Sequence, residues 1–372
     1  MTRLAPFHKA ARLVVKVGSS LLVSPDGKVR SSWLETLVAD LAACARAGQR
    51  PIVVSSGAIA LGARRLGLKG GGRASLEDAQ AAAAVGQIAL AGTWSALLEA
   101  EGLKAAQMLV TLGDFEDRRR WLNAAATLDR LASLGAVPVL NENDSVATEE
   151  IRFGDNDRLA ARVAQAAGAQ ALVLLSDVAG LFTANPKADP AAALIETVPD
   201  IETVASLADS QSGSGMGSGG MAAKLEAARI ARAAGIATAI ASGRGAHPLA
   251  QFLREGVGTV FPAEAAAPAR KAWLVGRMAV SGRLAVDAGA AQALASGKSL
   301  LAAGITGVAG QFARGDAVDV VAPDGRTIAR GLVAYDAADI ARIAGRRSDA
   351  IGEILGYAPR AAVIHRDQMV ML

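Results

Sequence analysis

The chain has 372 residues, enough for two domains or one large and one small, and 52% are apolar, ample for a buried core. Much of that apolar content is alanine, no window holds about 18 uninterrupted strongly apolar residues, and the start of the chain carries Arg3, His8 and Lys9 without a long apolar run, so neither a membrane span nor a signal peptide is read. A single cysteine, Cys44, excludes an intramolecular disulfide, and a net charge of +4 from 39 basic and 35 acidic residues is too mild to argue for nucleic acid; a soluble, cytoplasmic protein is expected.

In chain order, residues 12–17 read as a buried strand, followed by a helix over 31–47 that ends at Gly48. Residues 51–55 form the next strand, and Ser56-Gly57 opens another helix. The Gly70-Gly71-Gly72 run is a loop. Ser75 with Asp78 resembles a capping box and starts an alanine-rich helix to about residue 101. Strands over 104–111 and 136–140 flank a helix over 121–134, with Asp114 to Arg120 as a loop or helix start, and 169–175 and 236–241 complete the set. Short apolar strands alternating with helices predict an α/β fold, a mainly parallel sheet sandwiched by helices.

The character changes after Phe261. Residues 262–280, rich in alanine, proline and charge, read as a linker and connecting strand. Short strands with turn signals at Ser281-Gly282, Arg314-Gly315-Asp316 and Pro323-Asp324-Gly325 predict a small β-rich domain over 281–359, with helices near 289–295 and 336–343 and a tail over 360–372.

Ligands of such sheets bind beyond the carboxyl ends of the strands, where Lys16, Ser56, Asn141 and Asp177 fall. Two lysines stand out. Lys16 ends an apolar strand and enters Val17-Gly18-Ser19-Ser20; an unpaired ammonium there is costly as core. Lys224 follows the tract Gly215 to Gly220 and begins a helical pattern; its plain reading is a solvated first-turn lysine. Bare N–H groups beside a fixed ammonium are how a protein holds phosphate oxygens, and two such places suggest a polyphosphate gripped from both sides. Gly215, Gly217 and Gly220 match G-x-G-x-x-G, but no strand directly precedes them and no Walker A sequence occurs, so a dinucleotide fold is a poor reading.

Asn141-Glu142-Asn143-Asp144 and Gly154-Asp155-Asn156-Asp157-Arg158 put several hydrogen-bonding groups on one connecting segment. Either alone is ordinary turn chemistry. Together they suit an amino-acid ligand, whose ammonium a carboxylate accepts and whose carboxylate amides and N–H groups bind, and a further aspartate could hold the two lysines in register. His8, His247 and His365 are scattered and form no metal cluster, and His365-Arg366-Asp367 lacks the context of a kinase catalytic triplet.

Lys16-Val17-Gly18-Ser19-Ser20, Ser55-Ser56-Gly57-Ala58, the two Asn/Asp segments and Gly219-Gly220-Met221 through Lys224 resemble, in order and spacing, the glutamate 5-kinase family of the amino acid kinase superfamily. Gly282 to Ala290 and Arg314-Gly315-Asp316 look like the PUA domain appended to many members. The resemblance implies ATP-dependent phosphorylation of the L-glutamate 5-carboxylate, the first step of proline synthesis. It implies proline as feedback inhibitor, Mg2+ held mainly by the phosphates rather than by a protein metal site, and a homo-oligomer, dimer or tetramer. Carried over by motif, Lys16 and Lys224 would grip the transferring phosphoryl group, Asp157 would orient them, and Gly18 and Gly57 would offer N–H groups. Ser56, Asp144 and Asn156 would bind glutamate. Ser176, Asp177, Ser218, Gly219, Gly220, Met221, Ala222, Ala223 and Lys224 would hold ATP, with Ala222-Ala223 standing where hydroxyl residues are frequent. Acetylglutamate and uridylate kinases usually lack the C-terminal domain. The other class of reading is an RNA-binding PUA protein with a degenerate kinase domain. Eight basic against eight acidic residues from Ser281 to Pro359 leave no net charge, which argues against RNA.

Overall fold

A computed structural model describes residues 3–24, 27–146, 156–186, 188–210, 220–264, 280–357 and 362–372. The chain divides into two units, Met1–Ala265 and Ala266–Leu372. In the first, seven strands form one sheet: β1 (Arg12–Val17), β2 (Arg50–Val54), β3 (Lys104–Val110), β4 (Ala136–Glu142), β5 (Ala171–Ser176), β6 (Ala237–Ser242) and β7 (Gly258–Phe261). Their order is β3-β4-β2-β1-β5-β6-β7, and all pairings are parallel except β6 with β7. Helices α1 (Ala5–Lys9), α2 (Ser19–Leu22), α3 (Ser31–Arg46), α4 (Ala58–Leu66), α5 (Leu76–Ala100), α6 (Leu112–Glu116), α7 (Arg118–Ser133), α8 (Asn156–Ala166), α9 (Ala205–Ser210), α10 (Met221–Ala233) and α11 (Pro248–Glu255) connect the strands.

The strands run apolar because helices cover both faces of the sheet. Every residue of β5 is buried. Val14, Ile52, Leu172 and Leu174 enter one core with α8 and α10, whereas Leu13, Val15, Val53 and Val173 enter another with α3 and α5. β1 lies between β2 and β5, so the chain winds outward from it in both directions, and a crevice opens at the carboxyl ends of these central strands. α5 is long and apolar enough for a membrane span by length and composition alone, yet its Leu90, Trp94 and Leu98 pack in the core. Ser75 caps it by accepting from the Asp78 N–H.

Most predicted elements are present with shifts of a residue or two, and the exceptions have physical causes. β4 runs on to Glu142, because Asn141 pairs with Leu109 and Glu142 with Val110, and both side chains are buried. The segment from Asp114 to Arg120 contains the end of α6 and the start of α7, and Thr111 with Asp114 forms the capping box of α6. β7 was not predicted; it is a four-residue strand that closes the sheet antiparallel to β6.

In the second unit, β8 (Val280–Val286), β9 (Ile305–Gly310), β10 (Ala317–Val321), β11 (Thr327–Leu332) and β12 (Met369–Met371) pair in the order β12-β11-β10-β8-β9, joined by α12 (Ala288–Ala295), α13 (Ala337–Ile343) and α14 (Ile351–Leu355). Two expectations are corrected here. Ser281-Gly282 lies inside β8 rather than in a turn: a Cβ at Gly282 would stand 2.4 Å from the Phe312 ring and 2.6 Å from the Ala309 carbonyl oxygen, so glycine serves close packing. The segment read as a separate tail supplies β12, whose pairing with β11 makes it part of this unit. Residues 265–279, most of the expected linker, lie outside the described residues.

The tightest contact in the first unit is between α4 and α5. A Cβ on Gly62 would lie 1.7 Å from the Ala82 carbonyl oxygen, and one on Gly86 would lie 1.8 Å from the Ala58 carbonyl oxygen. Only backbone fits there. Gly86→Ala must push the two helices apart. It is expected to destabilise the first unit by about 3 kcal/mol or more, toward the upper end for overpacking, read by chemical denaturation. A change of about 0.5 kcal/mol or less, typical of an ordinary surface site, would contradict this packing.

Candidate active site

Lys16 is the penultimate residue of β1, hydrogen-bonded on both sides by β2 and β5, so its side chain leaves from the middle of the sheet at the crevice. Asp157 sits in the first turn of α8, and Lys224 in the first turn of α10. The three meet: Lys16 Nζ lies 2.7 Å from Asp157 Oδ1, and Lys224 Nζ lies 3.2 Å from Asp157 Oδ2. Asp157 is 1% exposed and each lysine 7%, so all three charges are out of bulk water. Burial alone would push the Asp157 carboxyl up. The two ammonium groups outweigh it and hold the carboxyl below its ordinary range, so it stays ionised. Two ammonium groups converge on one carboxylate in a buried crevice, an arrangement that suits an anion.

Backbone geometry around the lysines is equally specific. Gly57 precedes α4 with φ +107°, a left-handed conformation that favours glycine, and a Cβ there would come 3.1 Å from Val23 Cγ2. Gly18 precedes α2, and a Cβ on it would lie 3.9 Å from Lys16 Nζ. Trp94 Nε1 donates to Ser55 Oγ at 3.0 Å, fixing the turn after β2. The next residue, Ser56, accepts through Oγ from Asn156 Nδ2 at 2.7 Å. Asn156 Oδ1 is buried with no protein partner among the described residues, which leaves an acceptor for a ligand.

Asp144 lies just beyond β4, lining a cavity of about 320 Å³ with Gln87, Gln107 and Asn143. Burial pushes its carboxyl up to about 6, against the pull of the Arg73 guanidinium. At the end of β5, Ser176 is buried and Asp177 exposed, 3.3 Å from Ser176 Oγ to Asp177 Oδ1. Ser218 and Gly219 lie outside the described residues, as does most of the glycine tract. Gly220 is exposed at the start of α10, Ala222 is exposed and Ala223 half-buried. Met221 is 6% exposed and packs in the core with Leu225, so any contact from it to a ligand falls to its backbone.

Two features escaped the sequence reading. Asn141 Nδ2 donates to Gln87 Oε1 at 2.7 Å, tying α5 to the end of β4; the only sequence signal was a polar residue in an alanine-rich helix. His247, with φ +53°, places Nδ1 2.8 Å from Asp40 Oδ1, while Asp40 Oδ2 accepts from the Leu249 and Ala250 N–H groups. That histidine anchors α11 to α3. Among the described residues no group of three or more His, Cys, Asp or Glu could hold a metal ion.

Residues 11–242 match the model of the amino acid kinase family. The chain belongs to that family. Residues 282–355 match the PUA domain model, which places that domain in the second unit. Among curated relatives, the glutamate 5-kinase of Sphingopyxis alaskensis is 63% identical over 370 residues, 99% of this chain and 100% of that one. The glutamate 5-kinase of Novosphingobium aromaticivorans is 59% identical over 100% of this chain and 99% of its own. The glutamate 5-kinase of Zymomonas mobilis is 57% identical over 97% and 91%. A solved UMP kinase from Bacillus anthracis has a TM-score of 0.46 and 14% identity, covering 69% of this chain and 97% of that one.

The raised Asp144 carboxyl has a consequence for stability. A carboxyl whose folded pKa exceeds its unfolded value favours the fold below the unfolded pKa, and that benefit is lost as pH rises through about 6. At pH 8 the half-buried charge is a burden. Asp144→Asn is therefore expected to raise the stability of the ligand-free protein at pH 8 by about 1–3 kcal/mol, with the gain shrinking toward pH 4, read by denaturant unfolding at both pH values. A variant less stable than its parent at pH 8 would contradict the assignment.

Proposed function

We propose that this chain phosphorylates the 5-carboxylate of L-glutamate with ATP, giving L-glutamyl 5-phosphate and ADP, as the first committed step toward proline. The observation that carries this reading is Asp157 holding two buried lysines beside the Ser56–Asn156 pair. Full-length relatives with that name support it.

Lys16 and Lys224 would bind oxygens of the transferring phosphoryl group from opposite sides, with Asp157 setting their separation. Gly18 and Gly57 N–H groups would add donors. Ser56, Asn156 and Asp144 would hold the amino acid, with Asp144 accepting from its ammonium. Ser176, Asp177 and the segment from Ser218 to Lys224 would hold the nucleotide. No general base is needed, because the attacking carboxylate is ionised at neutral pH; the work is alignment and charge neutralisation. Mg2+ would supply further neutralisation of the phosphate charge, and Lys16 and Lys224 on the protein side fit phosphate oxygens rather than a metal ion.

Proline as feedback inhibitor, a cytoplasmic location and a homo-oligomer, dimer or tetramer, belong to the same reading. β3 is an outer strand, uncharged from Ala105 to Val110, and Leu109 on it and Ile88 on α5 are 41% and 75% exposed, which supports self-association. The balanced charge of residues 281–359 supports a role for the PUA domain other than RNA binding.

ADP release measured with glutamate, aspartate and N-acetylglutamate, each with and without proline, tests the reading. Turnover with glutamate alone, suppressed by proline, is expected. No glutamate-dependent ADP release would sink it.

A further inference from the structure

The cavity beside Asp144 holds amide groups whose purpose the phosphoryl-transfer site leaves open. Gln87, Gln107 and Asn143 line it together with the carboxylates of Glu142 and Asp144, Ile88 and Leu109 add apolar walls, and among the described residues no lysine or arginine lines it. An amino acid seated with its side-chain carboxylate at Lys16 and its ammonium at Asp144 still has a second carboxylate to satisfy, and that group needs donors.

Gln87 is the best-prepared of them. Its Oε1 accepts from Asn141 Nδ2 at 2.7 Å, and Asn141 is 2% exposed at the end of β4. An amide whose oxygen is tied down has only its nitrogen left to offer, and it loses that bond if it turns over. Ser145 Oγ donates to Asn143 Oδ1 at 2.7 Å and so leaves Asn143 Nδ2 as a second donor, but that pair sits on the loop beyond β4 rather than on a helix, and Gln107 stands exposed on the outer strand. Gln87 also has a fixed distance from the reacting end. Its neighbour Gly86 presses against the backbone of Ala58, the residue after Gly57, so the contact between α4 and α5 sets how far Gln87 lies from Ser56 and Gly57.

We propose that Gln87 is a specificity-determining residue, whose Nε2 donates to the α-carboxylate of the amino-acid substrate while Asp144 accepts from its α-ammonium. This rests on the glutamate reading above. Together the two ends form a ruler. A substrate one methylene shorter cannot reach Gln87 and the phosphoryl group at once, so the rigid contact between α4 and α5 discriminates glutamate from aspartate. A neutral donor in place of a cation also leaves the pocket free of a fixed positive charge that would attract any anion.

The test uses the full chain, with its glutamate-dependent ADP release established first, so that failure of the glutamate reading shows separately. Acceptors are L-glutamate and its α-amide, isoglutamine, which keeps the ammonium and the 5-carboxylate but replaces the α-carboxylate by a neutral amide. Gln87→Glu keeps the oxygen that receives the Asn141 bond and replaces the Nε2 donor by an acceptor, so the fold is conserved while the readout changes. The expected result is a fall of about thirtyfold or more in kcat/KM for glutamate, mainly in KM, with KM for ATP unchanged and the preference for glutamate over isoglutamine reduced at least about tenfold. An equal loss for both acceptors, or a loss below about threefold for glutamate, would overturn the proposal. Arg73 is the rival cation, close enough to Asp144 to draw its carboxyl down against burial. If Arg73→Met removes the preference and Gln87→Glu does not, the α-carboxylate belongs to Arg73 and the proposal fails.

Discussion

A buried carboxylate cannot remain ionised without partners, and a buried ammonium is no better off; the active-site region is organised around that mutual need. Asp157 is almost wholly withdrawn from solvent, and Lys16 and Lys224 are nearly as buried. Each lysine is tolerated because the carboxylate is there, and the carboxylate is tolerated because two lysines reach it. The result is a rigid cationic pair from two distant parts of the chain, brought together by α8 and α10 on one side of the sheet. Removing the aspartate would leave two like charges unshielded at close range, so the triad behaves as a unit rather than as three independent contacts.

The fold delivers these groups because β1 is the strand from which the sheet grows in both directions. Lys16 therefore exits between the ends of β2 and β5, where the turn at Ser55-Ser56-Gly57 and the pair Ser176-Asp177 also end. One side of the crevice is stiffened by the backbone contact between α4 and α5, with glycines at Gly62 and Gly86 where a methyl group would collide with a carbonyl oxygen. The same contact connects the turn at Gly57 to Gln87, and Asn141 connects Gln87 to β4. Substrate length and phosphoryl geometry thus share one scaffold.

The sheet was legible because its strands are short, apolar and buried on both faces, and because Lys16 at a strand end is hard to explain as core. The residues alone suggested only that some further aspartate could hold the two lysines in register; naming Asp157 came from the family resemblance, because Lys224 read on its own is an ordinary solvated first-turn lysine. What escaped notice obeys longer-range rules. β7 is four residues long and depends on pairing with β6, so nothing local announces it. Asn141 and Glu142 look like turn residues, yet the register with β3 draws them into a strand. Gly282 looks like a turn and is a packing residue under Phe312. Gln87 is silent in an alanine-rich helix until the fold sets Asn141 beside it. Met221 falls within a glycine-led motif but turns its side chain into the core, because its position in the first turn of α10 faces the sheet.

The claim that Asp157 works through the two lysines is tested most directly by a double-mutant cycle on turnover. Asp157→Asn, Lys224→Met and the double variant are compared with the parent for ADP release at saturating glutamate and ATP. If the triad is one unit, each single change lowers kcat on the order of a hundredfold or more, and the double variant falls no more than about threefold below the worse single. Losses that multiply, so that the double variant equals the product of the two singles, would show the aspartate and the lysine acting independently and would contradict this account.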